Sequence, residues 1–165
     1  LRGLISFFDM PMSDVFKGKS NQKPMVFDTQ SLKKMAPLIC FDIAFGNTVR
    51  KSNISSLFMV NISNDTWFGK SIGPYQHLDI ARVRTIENNK WMIRATNDGF
   101  SALIDNNGTI VDKLEKGVTD VLDGSIILLD KRTIYSQYGY YLPYVLAFFI
   151  LLISVIIRLC LKKQY

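Results

Sequence analysis

The group in this chain best placed to make and break covalent bonds is the thiol of Cys40. It follows the apolar run Ala36-Pro37-Leu38-Ile39 and precedes Phe41-Asp42-Ile43-Ala44-Phe45-Gly46, a pattern that predicts a cysteine at the rim of a buried strand. A thiolate there can attack a carbonyl carbon and hold the acyl group as a thioester, provided a base takes its proton and a cation or backbone N–H groups stabilise the oxyanion. The competing account is a small buried hydrophobe, the commoner fate of a free cysteine. Cys160, the other cysteine, lies in a long apolar stretch near the C-terminus, so the two thiols are expected in different phases and not as a disulfide.

Other groups near this point have roles to fill. Asp42, two residues after the thiol, can order the site by hydrogen bonding. The segment Ser63-Asn64-Asp65-Thr66-Trp67-Phe68-Gly69-Lys70-Ser71-Ile72-Gly73-Pro74 is too rich in polar and aromatic groups to be only a connector. Asn64 and Asp65 are expected to shape this loop before they are expected to approach the thiol, and Trp67, Phe68 and Tyr75 to wall a pocket. His77 is the only histidine; at the start of a helix it reads as structural before it reads as a base. No spacing of His, Cys or acidic residues suits a metal, and no cofactor is expected.

The elements that must position these residues follow from periodicity. Pro37 to Cys40 and Leu57 to Ile62 read as strands buried on both faces, with a short helix over Ala44 to Ser52 between them. Pro74 to Asn89 reads as a helix with proline in its first turn and with Leu78, Ala81, Val83 and Ile86 near one face. Trp91 to Thr96, Phe100 to Asp105 and Thr109 to Leu114 read as strands, the last two joined by the hairpin signal Asp105-Asn106-Asn107-Gly108. Leu1 to Asn21 is expected as a surface loop. The sum is a layered α/β fold.

No charged residue occurs from Tyr138 to Ile157, close to the roughly 20 residues of a membrane-spanning helix. Tyr135, Tyr138, Tyr140, Tyr141 and Tyr144 crowd one end, and Arg158, Lys162 and Lys163 follow the other. That asymmetry predicts an aromatic belt on one side, a cytoplasmic basic flank, and a soluble part outside the cytoplasm. The formal charge of +6 calls for an anionic partner. The basic residues are scattered without an aromatic–basic binding motif, so a lipid surface is expected and nucleic acid is not. The N-x-[ST] matches at Asn53, Asn61 and Asn107 are read as chance.

The run Asn61 to Leu78, followed by Ala81-Arg82-Val83-Arg84 and Arg94-Ala95-Thr96-Asn97-Asp98-Gly99, resembles the carboxy-terminal portion of the bacterial apolipoprotein N-acyltransferases, a branch of the nitrilase, or carbon-nitrogen hydrolase, superfamily. The resemblance runs from about Phe7 through the C-terminal apolar segment. It implies a nitrilase-like αββα sandwich, here partial, over 1–133, and an interfacial segment with a transmembrane helix over 134–165. It implies an enzyme of the bacterial inner membrane with its globular part in the periplasm. By this resemblance Cys40 matches the nucleophile of a Glu-Lys-Cys triad, taking a fatty acyl chain from a phospholipid donor and passing it to the amine of a diacylglyceryl apolipoprotein acceptor. Phe41 and Asp42 stand where the family usually has Tyr and Glu. The family's Glu and Lys precede the region beginning at Leu1, and Lys33 and Lys34 do not occupy their positions, so this chain alone is expected to be inactive. Two other readings remain open here: a membrane-tethered amidase or nitrilase, and a non-catalytic membrane-bound binding module.

Overall fold

Leu38, Met59 and Met92 come one from each of three neighbouring strands and lie on the same face of a sheet, all but removed from solvent. The computed structural model describes residues 23–28 and 33–162, without the side chains of 159–162; the surface loop expected over Leu1 to Asn21 lies outside them. One six-stranded sheet runs in the order β1 (Met25–Asp28), β2 (Lys33–Ile39), β3 (Phe58–Asn64), β4 (Met92–Asn97), β5 (Ser101–Ile104), β6 (Ile110–Leu114). Strands β2, β3 and β4 are parallel, and the outer pairings are antiparallel. Parallel neighbours need crossover connections. These are a 3-10 turn over Cys40–Ala44 with helix α1 (Gly46–Ser52), and a 3-10 turn over Asp65–Phe68 with helix α2 (Gly73–Asn88).

Both helices cover one face of the sheet, where Ala36, Leu38, Met59, Met92, Ala102 and Ile104 meet Ile43, Val49, Leu78 and Ala81 in one core. The buried face of α2 differs from expectation. It is made by Pro74, His77, Leu78, Ala81, Thr85 and Asn88, at the three- and four-residue spacing of a helix stripe, while Val83 and Ile86 are 44% and 51% exposed. Polar groups sit inward because the sheet below them presents Asn61, Ser63 and Arg94, which are also buried.

The expectation that β2 and β3 are buried on both faces is corrected at their C-terminal ends. Ile39 is 61% and Ile62 57% exposed, because only one face lies under helices. Towards β4 and β5 the second face is lined by an extended segment: Asp120, Val121 and Leu122 border Ile93 and Leu103, and Leu129 N–H bonds the Leu57 carbonyl at 3.1 Å. The Lys90 ammonium, itself buried, donates to the Leu129 carbonyl, and burial lowers its pKa from the ordinary value. The hairpin at Asp105 forms as expected, with Asp105 Oδ1 accepting the N–H groups of Asn107 and Thr109. Asn53 and Asn61 are both buried and bonded, which closes their amides to modification in the folded chain.

After β6 and the extended segment, helix α3 (Ile134–Tyr138) leads into helix α4 (Tyr141–Lys162). Thr133 caps α3 by accepting the Ser136 N–H at 2.9 Å, and its hydroxyl donates to the Glu87 carbonyl at the end of α2. Over Tyr141–Arg158 helix α4 is long and apolar enough to cross a membrane, and none of that window is buried within the molecule.

Replacing Met59 by Ala at the centre of the core is expected to lower stability by about 2–5 kcal/mol, whereas Val121→Ala, at a position 77% exposed, should change it by less than about 0.5 kcal/mol. Chemical denaturation followed by Trp91 fluorescence checks both.

Candidate active site around Cys40

Strand β2 ends at Ile39 and the chain turns at once. Cys40 opens the 3-10 turn with φ of +48°, a left-handed conformation that costs a residue with a Cβ about 1–3 kcal/mol. Two side chains hold it there. The Asp42 carboxylate accepts the Ile39 N–H at 3.0 Å. The Asn61 amide on neighbouring β3 donates to the carbonyls of Leu38 at 3.1 Å and Cys40 at 3.3 Å, and its own oxygen accepts from Arg94 Nη1.

The half-buried thiol faces a proton-bearing chain. Its Sγ lies 3.4 Å from Ser63 Oγ, and Ser63 Oγ lies 2.6 Å from Asp65 Oδ1. A hydroxyl has one proton, and the short contact to a carboxylate claims it. Ser63 oxygen is thereby left as the acceptor for the S–H of Cys40. Asp65 is fully buried and also takes His77 Nδ1 at 2.9 Å and Arg94 Nη2 at 2.9 Å. The 3.1 Å approach of Arg94 Nη2 to His77 Nδ1 is two donors meeting at one carboxylate, since Nδ1 must carry its proton to bond Asp65. His77 Nε2 and Arg94 Nε have no partner among the described residues. Aromatic rings flank the imidazole, with Phe41 at 5.8 Å and Phe68 at 5.6 Å between centroids.

Burial pushes the Asp65 carboxyl upward, but hydrogen bonds from His77 and Ser63 and the charge of Arg94 outweigh it and hold the group below its ordinary 3.8. Burial likewise lowers Arg94 against the pull of Asp65. The backbone makes room for this ion pair at Gly99, where an added Cβ would stand 2.5 Å from Asp65 Oδ2.

The expected site residues are not all gathered at the thiol. Phe41 and Asp42 share its turn, and Phe68 reaches the His77 ring. Asn64 accepts the Thr66 N–H at 3.3 Å and the Asn97 amide at 3.2 Å, tying the loop to β4. Trp67 is 61% exposed. Tyr75 is 58% exposed and leans on Phe100 at 4.8 Å. Sequence reasoning gave no site role to Ser63, Asn61 or Arg94, and set loop shaping ahead of an approach to the thiol for Asp65. The available signal was alternation: Asn61 and Ser63 fall on the same side of β3 as the core residue Met59.

Asp65→Asn leaves Arg94 buried without a counter-charge and is expected to destabilise the fold by about 3–5 kcal/mol near neutral pH. A carboxyl held low in the folded state stabilises fully above its unfolded value and loses that contribution as pH falls through the lower, folded one. The gap between the two proteins in urea unfolding should therefore narrow as pH is taken below 3.8.

Comparison with known proteins identifies the family and the fold. Residues 8–131 match the carbon-nitrogen hydrolase family. Over 138 residues the chain is 41% identical to an apolipoprotein N-acyltransferase of Pseudomonas paraeruginosa, covering 84% of this chain and 26% of that protein. It is 41% identical over 122 residues to the same enzyme of Rickettsia bellii, covering 73% of this chain and 24% of that one. The chain thus spans about a quarter of the length of these relatives. Among solved structures, an amidase from Nesterenkonia sp. AN1 carrying acrylamide on its active-site cysteine superposes with a TM-score of 0.53 at 18% identity, over 77% of this chain and 49% of that one. That likeness concerns the fold, and it is a nitrilase-type fold. With a matching family over three quarters of its length and the sheet of that fold, this chain belongs to the carbon-nitrogen hydrolase family.

Proposed function

We propose that this chain is the nucleophile-bearing, membrane-anchored portion of an apolipoprotein N-acyltransferase. The observation that carries the reading is Cys40 itself: a thiol on a strained turn at the end of a parallel strand, hydrogen-bonded into a buried polar network, in a chain 41% identical to such enzymes. Its donor is a phospholipid, its acceptor a diacylglyceryl apolipoprotein, and its setting the bacterial inner membrane, with the globular part in the periplasm and the end of α4 in the cytoplasm.

The chemistry follows from the residue types. The Cys40 thiolate attacks the ester carbonyl of the donor, the ester C–O bond breaks, and the lysophospholipid alkoxide leaves with a proton. The acceptor amine then attacks the thioester carbonyl and the C–S bond breaks; the amine's surplus proton passes to the base as the amide forms and the thiolate is released. Splitting the transfer lets donor and acceptor use one surface in turn. Backbone N–H groups at the start of the Cys40 turn would serve as donors for the oxyanion. Ser63 holds the thiol proton in the resting state and turns its hydroxyl to the thiolate once that proton is gone. The base and the lysine belong to the rest of the enzyme.

In the natural polypeptide carrying this sequence, purified from membranes and given radiolabelled phospholipid, Cys40→Ala should abolish a hydroxylamine-sensitive acyl adduct; an adduct that persists refutes the assignment. Ser63→Ala should slow adduct formation by roughly 10- to 100-fold, since a hydrogen bond to a charged group is worth about 1.5–3 kcal/mol.

A further inference from the structure

Arg50 has its side chain fixed at the point where the globular part meets helix α4, yet no carboxylate bonds it among the described residues. Its Nε and Nη2 donate to Asn47 Oδ1 at 3.2 and 3.0 Å, and its Nη1 donates to the Ser136 carbonyl at 3.4 Å. The guanidinium stem lies against the backbone of Gly139, where a Cβ would meet Arg50 Nε at 2.9 Å. A guanidinium has five N–H groups. With three bonded, one N–H on each of Nη1 and Nη2 is left over, the fork that suits two oxygens of a phosphate. Lys51 is adjacent and exposed, and likewise has no ion pair among the described residues.

These two cations border a groove of about 280 Å³ whose other walls are Asn47, Tyr140, Tyr141 and Tyr144. Its depth relative to a bilayer follows from α4. The apolar window Tyr141–Arg158 has 18 residues, about 27 Å at 1.5 Å per residue, which matches a hydrocarbon core of about 30 Å. The groove therefore opens at the hydrocarbon boundary on the side of the globular part, the level at which lipid phosphates lie and tyrosines anchor. The packing that sets this level is close. A Cβ on Gly46 would collide with Arg84 and stand 2.9 and 3.0 Å from the hydroxyls of Tyr135 and Tyr140, and those two rings meet edge to face at 5.5 Å. No lining residue belongs to the Cys40 network.

We infer that the Arg50–Lys51–tyrosine groove binds the phosphate of a phospholipid headgroup as a fixed interfacial site, separate from the acyl donor at Cys40. The inference rests on α4 lying in a bilayer and does not require thioester chemistry.

The test is native mass spectrometry of the natural polypeptide carrying this sequence, in detergent micelles titrated with phosphatidylglycerol, with chain-matched diacylglycerol, and with inorganic phosphate alone. Retention of phosphatidylglycerol should fall at least tenfold in the Arg50→Gln, Lys51→Gln double variant. Arg50→Lys, which keeps the charge and loses the fork, should fall between the double variant and the parent, and Cys40→Ala should retain lipid like the parent. Unchanged retention in the double variant overturns the proposal, as does diacylglycerol held equally well. Inorganic phosphate bound as tightly as the lipid would identify a free-anion site and overturn the lipid source. Loss of retention in Cys40→Ala would mean that the lipid observed is the acyl donor at the thiol, which overturns the separate site while leaving the acyltransferase reading intact.

Discussion

A single buried carboxylate organises the working face of this molecule. Asp65 is fully buried and bonded to Ser63, His77 and Arg94, and each of those partners reaches a different element. Ser63 leads to the thiol, His77 fixes the start of α2 over the sheet, and Arg94 on β4 reaches back through Asn61 to the carbonyl of Cys40. A buried ion costs several kcal/mol unless it is paired and its lone pairs are filled. Here both oxygens have donors, so the arrangement stands as a unit: loosening one partner leaves charge uncovered elsewhere. The left-handed backbone at Cys40 is tied to the same network through Asn61, which bonds its carbonyl and accepts from Arg94.

This polar centre explains the asymmetry of the sheet. The helix side carries one continuous layer in which apolar contacts at Leu38, Met59 and Met92 pass into polar ones at Asn61, Ser63 and Arg94, moving towards the strand ends that carry the thiol. The opposite side is covered only in part, and Ile39 and Ile62 remain exposed there. In an αββα arrangement that uncovered side is where a second sheet packs.

Much of the architecture was legible in residue patterns. The proline near the start of α2, the Asp-Asn-Asn-Gly hairpin and the uncharged C-terminal run each carry a local physical signal that tertiary packing left intact. The strand bearing the thiol was found, but its end was set one residue late. That residue is Cys40, whose backbone conformation comes from Asp42 and Asn61 and not from its own preference. Helix α2 was legible as a helix and misread as to its face, because a buried polar stripe and an exposed Val83 and Ile86 invert the hydropathy rule. Arg94 between Ile93 and Ala95 was the clearest missed sign. An arginine in an apolar strand needs an acidic partner, and Asp65 was available in the loop already marked as unusual.

The clamp of Tyr135 and Tyr140 over Gly46 lies six residues from Cys40 along the chain, so the same short stretch carries the thiol and the contact to the head of α4. With α4 in a bilayer, the thiol is held at a set height above it. On the acyl-transfer reading proposed above, a nucleophile confined to such a plane would meet lipid-borne reactants by lateral diffusion. The variable governing its encounters is then the mole fraction of those reactants in the leaflet, and diluting the membrane with inert lipid slows it where diluting the surrounding solution does not.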